Sequence, residues 1–232
     1  YAELVLGDLY VTYGLPGKAE TIFNRLLAKD ILSRTRAQTW LHKAALHYRE
    51  GNYTDAAMIL DGENMKGLEP VDEARRRLML ANIFMAEGDF TGALDYLHSV
   101  PLNTDEGRYA SYNMGVALIR AGHQAQGLEL LKSLLSAGGS SDQALALRDR
   151  AALASGLTEL KDGNLENARA DLRQVRSDGP FSEDALLALG LANYRAGDVK
   201  RALPLWLEAV RRNSSHPSVQ EALMLAPRAY EE

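Results

Sequence analysis

Six glycines punctuate the chain at nearly even intervals, and each closes one apolar-periodic segment just before a second begins. They are Gly14, Gly51, Gly88, Gly122, Gly163 and Gly197, separated by 37, 37, 34, 41 and 34 residues. Three columns keep register with them. Seven residues before each glycine stands a small residue: Gly7, Ala44, Ala81, Gly115, Gly156 and Gly190. Five residues after it stands another: Ala19, Ala56, Ala93, Gly127, Ala168 and Ala202. Nine residues after it stands a bulky one: Phe23, Leu60, Leu97, Leu131, Leu172 and Trp206. Two antiparallel helices joined by a tight turn need small residues where they cross, so that the backbones can approach. The bulky residue one turn later is expected to fill the seam between that hairpin and the next. The turn glycine ends the first helix, because a left-handed C-cap costs glycine little. Asn52, Asp89 and Asp198, each just after a turn glycine, are placed to cap the second helix.

A period of this length marks stacked helix pairs, each of which buries its apolar face only against its neighbours. The expected fold is all-α: a right-handed α-solenoid of antiparallel helix pairs, with six repeats and a partial seventh. First helices are expected near 2–13, 34–50, 71–87, 106–121, 142–162 and 183–196. Second helices are expected near 16–28, 53–61, 90–99, 124–136, 165–177 and 199–212. A thirteenth begins at Pro217, a favoured first helical residue, and carries Val219, Ala222, Leu223 and Ala226. The units fall near 1–32, 33–70, 71–104, 105–141, 142–181, 182–215 and 216–232, within one domain spanning 1–232. Residues 62–70 and 100–105 are connectors. The glycine- and serine-rich stretch 137–142 is the expected hinge.

Composition narrows the function. Hydrophobic residues make up 46% of the chain, enough for a core, and the formal charge of −5 gives no electrostatic case for nucleic acid. No apolar run approaches the roughly 18 residues that cross a bilayer. There is no cysteine, so thiolate metal sites, disulfides and a cysteine nucleophile are excluded. Arginine outnumbers lysine 19 to 7, the bias of a GC-rich bacterial genome. The chain begins at Tyr1 and stops at Glu232 inside helical patterns, so any signal peptide, lipid anchor or further domain would lie outside it.

Motifs for chemistry are absent. The histidines, His42, His47, His98, His123 and His216, include no i, i+4 pair. Gly138-Gly139 lacks the lysine of a phosphate loop. Asp72-Glu73 and Asp105-Glu106 open helices, where acids complement the dipole. Ser140-Ser141 reads as linker and cap. The chain is expected to be no enzyme and to need no cofactor or metal. Arg75-Arg76-Arg77 reads as a solvated face or as a docking point for an acidic partner.

These residues resemble the tetratricopeptide repeat family. Its Leu-Gly, Tyr, Ala, aromatic signature is matched by Leu6-Gly7, Tyr10, Ala19 and Phe23. Leu189-Gly190, Ala202 and Trp206 match again, with Asn193 at the Tyr position and Tyr194 one residue late. Trp40 opens the second unit as the family's Trp would, and Pro180 stands at its closing proline. Departures are Gly127 for the central Ala, Glu159 for the Tyr, and no closing proline elsewhere.

The resemblance implies that first helices line a concave, partner-binding face. Residues ten, six, three and two before each turn glycine define it. The resulting candidates are Leu41, Tyr48, Arg49, Asn82, Met85, Tyr112, Val116, Arg120, Leu157, Lys161, Leu191, Tyr194 and Arg195, with Asn113 beside them. An apolar groove rimmed by cations suits a partner with apolar side chains and some acidic groups. A carboxylate clamp known in the family would fall on Leu78, Asn82, Asn113, Arg150 and Ala154, but one Lys and the Arg are missing, so no clamp is expected. The expected function is a scaffold or adaptor for a protein or peptide partner in bacterial cell-envelope assembly, secretion or protease delivery. A periplasmic or envelope location is favoured over the cytoplasm. The alternatives are a self-assembly module, with homo-oligomers forming through the chain ends, and an accessory domain of a larger enzyme.

Overall fold

The structure is a computed structural model and describes residues 2–213 and 215–231. Among the described residues every regular element is helical. The helices are α1 (Ala2–Thr12), α2 (Pro16–Leu27), α3 (Ser33–Arg49), α4 (Tyr53–Leu60), α5 (Pro70–Glu87), α6 (Phe90–His98) and α7 (Asp105–Arg120) in the first compact unit, Tyr1–Gly122. The second unit, His123–Glu232, holds α8 (Gln124–Ser136), α9 (Asp142–Lys161), α10 (Leu165–Leu172), α11 (Ser182–Arg195), α12 (Val199–Arg212) and α13 (Pro217–Glu231). Residues 137–142, the expected hinge, lie inside the second unit, between α8 and α9. Of the thirteenth helix's expected apolar face, Val219 is fully buried. The side chains of Ala222 and Ala226 lie outside the described residues.

The turn glycines explain where the first helices stop. Gly14, Gly51, Gly88, Gly122, Gly163 and Gly197 all take positive φ, between 69° and 92°, a region that side-chain-bearing residues avoid. The capping residues act less uniformly. Asp89 accepts from the Gly92 amide at 2.8 Å and Asp198 from the Arg201 amide at 3.1 Å, whereas Asn52 makes no side-chain cap bond. Ser141 caps α9 through the Ala144 amide at 3.2 Å.

The three columns form the core. Ala19, Ala56, Ala93, Ala168 and Ala202 are fully buried, as are Phe23, Leu60, Leu97, Leu131 and Trp206. The bulky column packs first against its own hairpin, which refines the expectation that it fills the seam to the next. A Cβ on Gly7 would lie 2.3 Å from the Phe23 ring, one on Gly156 2.5 Å from Leu172, and one on Gly190 2.1 Å from the Trp206 indole nitrogen. The missing side chain on one helix is the space the large one on the other occupies. Phe23 also reaches onward, sharing a cluster with Leu46 of α3.

Two segments depart from the expected layout. Residues 62–70 contain a 3-10 turn, Glu63–Met65, which buries Met65 beside Leu41 and Leu60. The helix expected to reach residue 177 stops at Leu172. Beyond it the chain turns to wrap a carboxylate. Asp149 of α9, 2% exposed, accepts from the Arg176 amide at 3.0 Å and from its guanidinium at 2.9 and 2.8 Å.

The second unit also buries charge between its helices. Lys132 of α8 lies 2.8 Å from Glu159 and 3.6 Å from Asp171, and Ser155 donates to Asp171 at 2.6 Å. Burial pushes the Glu159 carboxyl up, but hydrogen bonds from Lys132 and Asn164 outweigh it and hold the group below its ordinary value of 4.5. A carboxyl depressed in the folded state adds stability above its unfolded pKa and loses it as pH falls through the folded one. Melting temperature is therefore expected to hold near neutrality and fall on acidification below about 4.5, with Glu159→Gln flattening the fall. An identical acid profile for the two proteins would remove this assignment.

Candidate partner-binding face

Helix adjacency separates two sides within each unit. In the first, α1 lies beside α3, α3 beside α5, and α5 beside α7, while α2, α4 and α6 touch first helices and not one another among the described residues. In the second, α9 lies beside α11 and α11 beside α13, whereas α10 and α12 do not touch. First helices set closer than second helices place the first on the inner side of each unit's curve.

In the first unit this inner side carries a line of neutral hydrogen-bonding groups. Asn113 of α7 donates to Asn82 of α5 at 2.7 Å, and Asn82 in turn engages the Tyr48 hydroxyl of α3. Burial raises the Tyr48 phenol above its usual value of 10, nearby Tyr53 adds to the rise, and Asn82 opposes it. The hydroxyl therefore stays protonated at neutral pH. Met85 and Val116 stand half-buried beside this line. Arg49 and Arg120, at the C-terminal ends of α3 and α7, are exposed and pair with no described residue.

A second polar line crosses the same helices near their N-terminal ends. Gln38 donates to Asp72 at 2.9 Å, and Arg75 joins Asp72 at 3.5 Å to Glu106 at 3.2 Å. The candidate set omitted these residues. Their signal in the sequence is a further pair of offsets: Gln38 and Arg75 both stand thirteen residues before a turn glycine, and Asp72 and Glu106 both sixteen.

The arginine run separates into individual roles. Arg76 donates to the Leu60 carbonyl at 2.6 Å, closing α4, and Arg77 to the Ser99 carbonyl at 2.6 Å, just beyond α6. Both also hold Glu73. Cations at helix C-termini complement the dipole and the last carbonyls. Arg76 and Arg77 are occupied in the fold, which leaves Arg75 as the exposed member of the run.

In the second unit, Leu157 is 45% exposed on α9, with Lys161 exposed a turn later. Leu191 and Tyr194 of α11 pack half-buried against Trp206. Arg195 is exposed overall, yet its guanidinium donates to the Leu160 carbonyl at 3.2 Å. Not every candidate reaches the surface. Leu41, 5% exposed, and Tyr112, 8% exposed, belong to the core beneath the face. Their positions point inward because the first helices approach one another there.

Residues 153–217 match a sequence family described as tetratricopeptide repeat. The same stretch holds the α9–α10 and α11–α12 hairpins whose glycines seat Leu172 and Trp206. Residues 153–217 carry tetratricopeptide repeats. Solved structures agree on the fold of this repeat array. The apo form of the quorum sensor NprR from B. thuringiensis is 14% identical with a TM-score of 0.81, covering 100% of this chain and 71% of that one. PilW, a type IV pilus biogenesis factor, is 14% identical with a TM-score of 0.73, covering 96% and 97%. YrrB, a tetratricopeptide repeat protein with an unusual peptide-binding site, is 16% identical with a TM-score of 0.55, covering 87% and 97%. No curated protein sequence matches the chain. Among the described residues no helix is long and apolar enough to cross a membrane, and no group of three or more His, Asp or Glu is placed to hold a metal ion.

Proposed function

We propose that the array is an adaptor that binds a protein or peptide partner along the first-helix face. Proteins with this repeat generally mediate protein–protein interactions. The observation that supports this face most is the line Tyr48–Asn82–Asn113, flanked by the unpaired Arg49 and Arg120. Amides and a phenol suit the backbone of a bound segment, Met85 and Val116 suit its apolar side chains, and the two arginines suit its acidic groups. Leu157, Lys161, Leu191 and Tyr194 offer a similar mixture in the second unit. The double substitution Arg49→Glu, Arg120→Glu is expected to cut recovery of the co-purifying partner from the source organism by at least about tenfold. Both side chains are exposed and unpaired, so the thermal melt should be unchanged. Equal recovery by the variant would remove this face.

A bacterial envelope setting, in assembly, secretion or protease delivery, is part of the same proposal. Its support is the arginine-rich composition and the likeness in fold to PilW. Fractionation of the source organism tests it, with recovery in the cytosol alone counting against it.

One observation favours a second reading, self-association through the first helix. Val5 and Leu9 of α1 are each 49% exposed, and Tyr13 just beyond it is 72% exposed. Sedimentation that stays monomeric at high concentration would exclude it.

A further inference from the structure

A trough runs along the second-helix side of the second unit, between α10 and α12. It exists because those two helices do not touch, so α11 is exposed between them as a floor. Two hollows, of about 190 and about 340 Å³, adjoin at Arg173 and Leu189, which line both. Among the described residues their linings contain five cations, Arg173, Arg176, Lys200, Arg201 and Arg212, and no Asp or Glu. That is the reverse of the chain as a whole, whose formal charge is −5. Three of the five already have an acid: Arg176 has Asp149, Arg201 has Asp198, and Arg212 has Glu208. Arg173 and Lys200 are exposed and pair with no described residue.

Two further features shape the trough. Asn193 is 2% exposed and lines the larger hollow. Its Oδ1 accepts from Arg169 at 3.3 Å, and its amide nitrogen bonds no described group. On the opposite wall, Pro204 lies inside α12. It has no N–H, so the carbonyl of Lys200, four residues earlier, lacks its helical donor. The trough thus presents the Asn193 amide, two cations that pair with no described residue and an apolar strip of Leu189, Pro204 and Leu205.

We infer that this trough binds an extended acidic peptide segment of another protein. Its backbone carbonyl would accept from Asn193. An apolar side chain would lie on Leu189, and acidic side chains would meet Arg173 and Lys200. Nucleic acid fits less well, because among the described residues neither lining contains an aromatic side chain on which a base could stack. The site is independent of the first-helix face. Leu189 and Leu191 are two residues apart, about 200° around α11.

The test is fluorescence anisotropy with the intact chain and a labelled eight-residue peptide alternating Glu and Leu. A matched Lys–Leu peptide and a twelve-nucleotide single-stranded oligothymidine are the comparison probes. Binding of the acidic peptide is expected, weakening as salt rises, with little binding of the basic one. The variant Arg173→Glu, Lys200→Glu is expected to lose at least about tenfold in affinity, and Arg173→Gln, Lys200→Gln less, with thermal melts unchanged. Lys66→Glu, at an exposed lysine of the other unit that neither face uses, is expected to bind the peptide as wild type does. Equal binding by the Arg173/Lys200 variants, no binding by wild type, indifference to the peptide's charge, or preference for the oligonucleotide would each overturn the proposal.

Discussion

Truncating Asp149 to alanine is expected to cost about 2–4 kcal/mol, the range for removing several hydrogen bonds to a buried charged acceptor. The carboxylate is 2% exposed and receives one backbone amide and two guanidinium nitrogens from Arg176. Gly179 closes over it, since a Cβ there would lie 2.5 Å from Oδ2. The carboxylate is therefore what organises residues 173–179 after α10 stops. Denaturant unfolding gives the energy, and amide exchange at Arg176 gives the location. Asp149→Ala should speed that exchange more than exchange in α12. An unchanged midpoint, or exchange accelerated equally throughout the unit, would show that the segment is held by something else.

The glycine opposite Trp206 supports an equally direct prediction. Gly190→Ala places a methyl group 2.1 Å from the indole nitrogen, which itself donates to the Leu187 carbonyl at 3.2 Å. The ring is fully buried and fixed by that bond, so it cannot swing away cheaply. Overpacking of this kind costs about 1–3 kcal/mol. Trp206→Leu alone removes the indole and leaves a void beside the glycine. The double variant should recover part of both losses, because the same two columns hold Ala44 with Leu60 and Ala81 with Leu97 elsewhere in this chain. A favourable coupling of about 0.5–3 kcal/mol in a denaturation cycle is the expected result. Strict additivity would mean the two columns do not pack as pairs.

These two predictions mark the boundary of what could be read from sequence. Gly190 and Trp206 were legible because a repeat imposes one geometry many times, and small residues facing large ones recur at fixed offsets. Helix ends were legible for the same reason, through glycines that only positive φ explains. Asp149 was not legible. Spacing gives a residue's face, but its partner Arg176 lies 27 residues away in an irregular segment. Glu159 was seen only as a departure from a Tyr position, and its pairing with Lys132 depends on how α8 meets α9. The arginine run was ambiguous for a related reason. Whether Arg76 and Arg77 face solvent or a neighbouring helix end is decided by where α4 and α6 stop. On the first-helix face, helical offsets chose Tyr48, Asn82 and Met85, which stand half-buried, but could not show that Leu41 and Tyr112 would be covered. The trough on the other side follows from the gap between α10 and α12, which no single offset encodes.

The adaptor reading is tested most directly by site-specific photo-crosslinking in the source organism. A photoreactive residue at Met85 or Leu157 samples the first-helix face, and one at Met58, 71% exposed on α4, samples the second-helix side. Adducts to the same partner from Met85 and Leu157, and none from Met58, are the expected result. Adducts from Met58 alone, or none from either face position, would contradict it.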